Sequence, residues 1–116
     1  MSDFPSPTKP MRLLAISGSL RRASTNTAAL EALAKLAPEG VKVLVYRDLA
    51  ALPPFNPDGD IEGKPKPEPV ATLRALVDAS DALVIAAPEY AHGLPGALKN
   101  ALDWLVASEK IGRAHV

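Results

Sequence analysis

The sequence predicts an α/β fold built on a doubly wound parallel sheet. Three observations predict it. Apolar runs begin near residues 11, 41 and 81 and alternate with helical patterns, the arrangement of βαβ units joined by right-handed crossovers. The last run, Ala82–Ala86, is apolar throughout, as a strand buried on both faces should be, and leads into a loop holding Tyr90, His92 and Gly93. The first run leads into a loop dense in Ser, Thr and Arg, and loops at the carboxyl ends of parallel strands are where open α/β sheets bind ligands. Three strands are too few to close a barrel.

Met11–Ser17 is the first strand. Residues 24–37 read as a helix, because Leu30, Leu33, Ala34 and Ala37 recur at helical spacing and Pro38 with Gly40 stops it. Val41–Tyr46 is the second strand. Residues 52–68, dense in Pro, Asp and Gly, form an irregular surface connection. Residues 69–80 form the second helix, with Val70, Leu73, Leu76 and Val77 on one face. Residues 81–87 are the third strand. The last helix runs from about residue 95 to 108, opened by Pro95, a residue suited to a first helical turn.

At 116 residues the chain allows one domain with an adequate core. Thirteen Lys and Arg balance thirteen Asp and Glu, so nothing points to a nucleic-acid partner or an anionic membrane surface. No apolar run approaches the roughly 20 residues of a membrane span. The start of the chain is polar and Pro-rich, without the apolar middle of a signal peptide. The absence of Cys excludes disulfides, thiolate metal sites and a cysteine nucleophile, and is compatible with a cytoplasmic protein. No His, Asp and Glu set has metal-ligand spacing and no Ser-His-acid set is evident, so no metal site and no catalytic side chain is assigned.

The loop Ser17-Gly18-Ser19-Leu20-Arg21-Arg22-Ala23-Ser24-Thr25-Asn26-Thr27 supplies one Gly for close backbone approach, three Ser and two Thr hydroxyls, an Asn amide and two guanidinium groups. It opens a helix N-terminus with unpaired N–H groups, and these are the parts of a phosphate cradle. With Gly18 alone it is neither a dinucleotide fingerprint nor a Walker A loop, and a terminal phosphomonoester fits better than a pyrophosphate. In flavodoxin-like sheets the order is 2-1-3-4-5 and FMN sits at the switch point between strands 1 and 3. Here the phosphate-type loop follows strand 1 and the aromatic, Gly-containing loop follows strand 3, which suits a ligand with a phosphate at one end and a flat ring at the other.

Ser17-Gly18-Ser19-Leu20-Arg21 with Ser24 and Asn26, Pro88-Glu89-Tyr90, and Leu98-Lys99-Asn100-Ala101-Leu102-Asp103-Trp104 together resemble the NAD(P)H-dependent FMN reductase family, which includes chromate, quinone and azo-dye reductases. The resemblance spans residues 11 to 108. It implies that Ser17, Ser19, Arg21, Ser24, Asn26 and Thr27 bind the cofactor, the last five of them through the FMN phosphate. It also implies that Pro88, Glu89, Tyr90, His92 and Gly93 line the ribityl and isoalloxazine region. Where many members have Asn, this chain has Ala91. Blander readings stand beside these. Ser24 and Asn26 serve equally as helix caps, and Arg21 and Arg22 as solvated charges. His92 serves as a loop-packing residue, and Glu89 as an acceptor for backbone N–H groups. Trp104, Leu98, Leu102 and Leu105 read as core or subunit interface. Lys99 and Asn100 either fix the site loop from their helix or are simply exposed.

The resemblance implies an oxidoreductase that takes hydride from NADPH or NADH onto bound FMN and on to a quinone, azo compound, metal oxyanion or flavin. The alternatives are a flavodoxin-like FMN electron carrier, an inactive fragment, and a phosphosugar or nucleotide module without redox activity. It also implies a homodimer or homotetramer in the full-length protein, with Leu98, Leu102, Leu105 and Val106 as apolar contact positions. Residues 1–10 are expected to be a disordered tail and 11–110 a partial flavodoxin-like domain. A five-stranded sheet needs about 60 residues more, so strands 4 and 5 are expected to be missing and strand 3 to be an apolar edge. Residues 111–116, Ile-Gly-Arg-Ala-His-Val, match a reading frame of a common sequencing adapter and are expected to be non-native. Such a fragment is expected to be poorly soluble and to bind FMN weakly.

Overall fold

A computed structural model of the chain describes residues 9–20, 25–61, 63–88 and 95–107. The order of elements is β1 (Met11–Ser17), α1 (Thr25–Leu36), β2 (Val41–Tyr46), 3-10 turns at Leu49–Ala51 and Pro57–Gly59, α2 (Glu68–Ala79), β3 (Ala82–Ala86) and α3 (Gly96–Ala107). Each expected strand and helix is present, with ends shifted by one residue where they differ. The expected tails over 1–10 and 111–116 fall outside the described residues, apart from Lys9 and Pro10.

The sheet is parallel, in the order β2-β1-β3. Met11 pairs with Val41 and Ile16 with Tyr46 on one side, and Leu13 pairs with Ala82 and Ser17 with Ala86 on the other. β1 is the central strand, which is why Leu14 through Ser17 are buried on both faces. Gly40 turns the chain from α1 into β2 at φ 87°, a left-handed conformation that glycine adopts without a Cβ clash.

The two crossovers run in opposite directions from β1's neighbours, so right-handedness places their helices on opposite faces. Leu14, Ile16, Tyr46 and Leu83 share one face and meet Val70, Leu73 and Val77 of α2 and Leu98, Ala101, Trp104 and Leu105 of α3 in the main core. α1 covers the other face and packs against all three strands. Of its four expected core residues only Leu30 is fully buried; Leu33 is exposed, as is Leu36 at 81 %. A lone helix on a three-stranded face presents only one narrow stripe to the sheet. β3 pairs with β1 alone among the described residues, and Ile85 on it is exposed.

Two expectations need correction. The connection over 52–68 is irregular and largely exposed as expected, but Leu52 and Phe55 at its start turn inward. Leu49 and Leu52 are buried, and the Phe55 ring meets Trp104 edge-on at 4.9 Å. Asn100 Nδ2 and Trp104 Nε1 both donate to the Pro53 carbonyl at 2.9 Å, and Asn100 Oδ1 accepts from Phe55 N–H at 2.7 Å. Pro and Gly exclude regular structure but do not say which side a segment turns inward. The second correction concerns α3 as an apolar contact helix. Leu98 and Leu105 lie in this chain's own core and Leu102 packs against it, leaving Val106 exposed at 60 %. α3 carries extra apolar residues because it serves two neighbours, the sheet and the segment from Leu49 to Asp60.

Candidate functional site

β1 is where the chain reverses its direction of travel across the sheet, the place at which open α/β sheets bind ligands outside the carboxyl ends of their strands. The loops leaving β1 and β3 start side by side. Gly18 N–H donates to the Ala86 carbonyl at 2.8 Å. A Cβ on Gly18 would lie 2.6 Å from Ala87 Cβ and 3.2 Å from both Ala87 Cα and Leu98 Cδ2. The glycine is therefore needed where the β1 loop crosses the end of β3 and the first turn of α3, a close approach of protein to protein.

Ser17, the last residue of β1, is completely buried, and its hydroxyl pairs with Thr27 Oγ1 in the first turn of α1 at 2.5 Å. Ser19, Asn26 and Thr27 are half-buried at the mouth of the same loop, and Pro88 is half-buried at the end of β3. The first turn of α1 contains no acidic residue, so an anion there meets the positive end of the helix dipole without a fixed charge of its own sign. The structure thus brings Ser19, Asn26, Thr27 and Pro88 to one end of the sheet, and it corrects the expectation for Ser17, which turns inward onto Thr27 and has no surface left for a cofactor. Arg21, Ser24, Glu89, Tyr90, His92 and Gly93 lie outside the described residues.

Among the described residues Asn100 ties α3 to the β2–α2 connection: its amide nitrogen donates to the Pro53 carbonyl and its amide oxygen accepts from Phe55 N–H. Lys99 faces outward and pairs with Asp103 one turn on, at 3.2 Å. At the end of β2, burial pushes the Tyr46 phenol up to about 12, helped by the nearby Asp48 carboxylate, so it stays neutral at physiological pH. Sequence reasoning missed Arg74, a buried cation between α2, α3 and the β2–α2 connection; an Arg at a core position of a helix carries no apolar signal.

A shallow apolar cavity of about 340 Å³ opens between Leu14, Leu44 and Leu76 near the amino ends of the strands, the end opposite these loops. Its charged neighbour Arg12 is paired with Asp81. No group of three or more metal-ligating side chains occurs among the described residues, and no helix among them is long and apolar enough to cross a membrane.

The sequence model of the family described as NADPH-dependent FMN reductase matches residues 11–115. A probable NADPH:quinone oxidoreductase of Oryza sativa subsp. japonica is 41 % identical over 98 residues, covering 83 % of this chain and 48 % of the relative. An NAD(P)H-dependent FMN reductase of Pseudomonas aeruginosa is 40 % identical over 94 residues, covering 81 % of this chain and 49 % of the relative. Among solved structures, the flavoenzyme NAD(P)H:(acceptor) oxidoreductase FerB of Paracoccus denitrificans superposes with a TM-score of 0.72 at 32 % identity, over 83 % of this chain and 50 % of that one. The chain spans about half the length of the curated relatives it matches. With the β2-β1-β3 order of a flavodoxin-like sheet and a family match over almost its whole length, the chain belongs to the NADPH-dependent FMN reductase family.

Proposed function

We propose that this protein binds FMN between the loops after β1 and β3 and serves NAD(P)H-dependent reduction of a small-molecule acceptor of the quinone class. The observation that carries the proposal is the junction at Gly18, which seats a hydroxyl- and Arg-bearing loop against the start of the Pro88 loop at the sheet's switch point. The residues present fit the phosphate end of FMN: half-buried Ser19, Asn26 and Thr27 surround a helix start free of acidic groups. Arg21 and Ser24 complete that set in the proposal. Pro88, Glu89, Tyr90, His92 and Gly93 take the ribityl and ring region.

Bound flavin supplies the hydride chemistry, and the protein's part is to hold the phosphate, orient the ring and leave one ring face open. No side chain of the chain is needed as acid or base. The names of the rice and Pseudomonas relatives support NAD(P)H as donor and quinone or FMN as acceptor. Azo compounds and metal oxyanions extend the same acceptor class. The proposal includes a homodimer or homotetramer and a cytoplasmic setting.

Titration of FMN into the purified chain, followed by flavin fluorescence, tests the site. Arg21→Ala is expected to weaken FMN about ten- to hundredfold, the loss of a charge-assisted contact of about 1.5–3 kcal/mol. Unchanged affinity removes Arg21 from the site. NADPH oxidation with a benzoquinone acceptor tests the activity; FMN uptake without that turnover favours a flavodoxin-like electron carrier.

A further inference from the structure

The loop after β1 is closed across its base by one side-chain pair. Ser17 ends β1 and Thr27 lies in the first turn of α1, ten residues later, and their hydroxyls meet at 2.5 Å. Ser17 has no solvent exposure, so it offers no surface to a ligand bound between the loops after β1 and β3. Its hydroxyl is a buried polar group satisfied by Thr27, and a buried hydroxyl with a fixed partner has a fixed rotamer. The opposite side of the loop base is held by Gly18 N–H on the Ala86 carbonyl and by Gly18 packing on Ala87 and Leu98. The segment bearing Ser19 and leading to Asn26 thus leaves from one pinned end and returns to another.

We infer that Ser17 is a positioning residue: its hydroxyl staples β1 to the first turn of α1 through Thr27 and so presets the geometry of the phosphate-binding loop. The inference rests on the proposed FMN site and gives Ser17 a role without ligand contact. A preset loop binds more tightly because less ordering remains to be done on binding. The staple acts at the phosphate end only. Riboflavin, which has the same ring and no phosphate, should not register its loss.

The test compares FMN and riboflavin affinities of the 116-residue chain and its Ser17→Ala variant, each also in a Thr27→Val background. Ser17→Ala is expected to weaken FMN about three- to tenfold, the scale of one neutral hydrogen bond, with riboflavin unchanged. In the Thr27→Val background the second substitution should have no further effect. Equal weakening of both flavins, unchanged FMN affinity, or a full additional loss on Thr27→Val would each overturn the inference, the first because it marks general loosening of the fold. If Ser17→Ala does not fold, Ser17→Cys keeps the volume with a weaker donor and enters the same comparison.

Amide hydrogen exchange without ligand is a second readout. Exchange should quicken at residues 18–20 and 25–27 in Ser17→Ala and stay the same in β2 and α2. Equal exchange across the chain overturns the staple whatever the flavins do. Failure of the unchanged chain to take up FMN defeats the flavin reading alone, and the exchange comparison then decides the staple.

Discussion

Replacing Asp60 with Ala is expected to destabilise the fold by about 3–5 kcal/mol, because it strands a buried guanidinium. Arg74 Nη1 and Nη2 donate to the two Asp60 oxygens at 2.9 and 3.0 Å, and Nη2 also donates to the Trp104 carbonyl at 2.7 Å. The guanidinium lies 5.7 Å from the centre of the Trp104 ring, and only 11 % of the Arg74 side chain reaches solvent. Without Asp60 it keeps a single neutral acceptor in a setting where a charge needs full compensation. Arg74→Met should destabilise less, since Lys66 remains beside Asp60 at 3.3 Å. The double variant removes both buried partners together. Its loss should fall short of the sum of the single losses by about 1–3 kcal/mol, as for other coupled pairs. Urea denaturation at constant slope measures all three; a loss below about 1 kcal/mol for Asp60→Ala would show the pair to be a surface-type bridge.

The same pair sets a pH dependence. Hydrogen bonds from Arg74 hold the Asp60 carboxyl below its usual 3.8, with Lys66 adding to the effect against some opposition from burial. A carboxylate whose folded pKa is depressed stabilises the fold fully above its unfolded value, and loses that contribution as pH falls through the folded one. Wild-type stability linked to Asp60 should therefore be flat from neutrality down to about pH 4 and fall below it, while Asp60→Ala lacks this component. Parallel curves for the two proteins below pH 4 would remove Asp60 as the source.

Gly18→Ala is the second large effect. The new methyl would lie 2.6 Å from Ala87 Cβ, with Ala87 Cα and Leu98 Cδ2 both at 3.2 Å. Ala87 has no rotamer by which to withdraw, and Leu98 is fully buried, so backbone must move. Overpacking of this kind destabilises by about 1–3 kcal/mol, and Gly18→Val should exceed Gly18→Ala. Because the shift parts the loops after β1 and β3, FMN binding should weaken as well. Gly96→Ala is the control: nothing lies within 4 Å of its Cβ position, and alanine suits a helix better than glycine. That variant should be neutral or slightly stabilising. Equal thermal midpoints for Gly18→Ala and wild type would mean that the junction yields without strain.

What could be read from the residues in order was local. Strand starts at 11, 41 and 81, the helix stop at Pro38 and Gly40, and the loops between them depend on hydrophobic period and turn chemistry within a few positions. All three strands and three helices are where that reading puts them. The pairing of the β1 loop with the β3 loop was legible too, because handedness leaves few ways to join three parallel strands. The reading failed where one residue answers to two distant neighbours. Leu98 and Leu105 read as core or subunit interface, and only the packing of α3 on both the sheet and the Leu49–Asp60 segment decides for core. Asn100 finds partners 45 and 47 positions back in the chain, which no local pattern announces. Arg74 and Asp60 are 14 apart across an irregular connection, and neither has a pattern that announces burial. Ser17 reads as one more hydroxyl for a phosphate; only its place at the centre of the sheet turns it inward onto Thr27. Periodicity records which side of an element is apolar, whereas the partner of a buried polar group is set by how the elements pack, and that is decided in three dimensions.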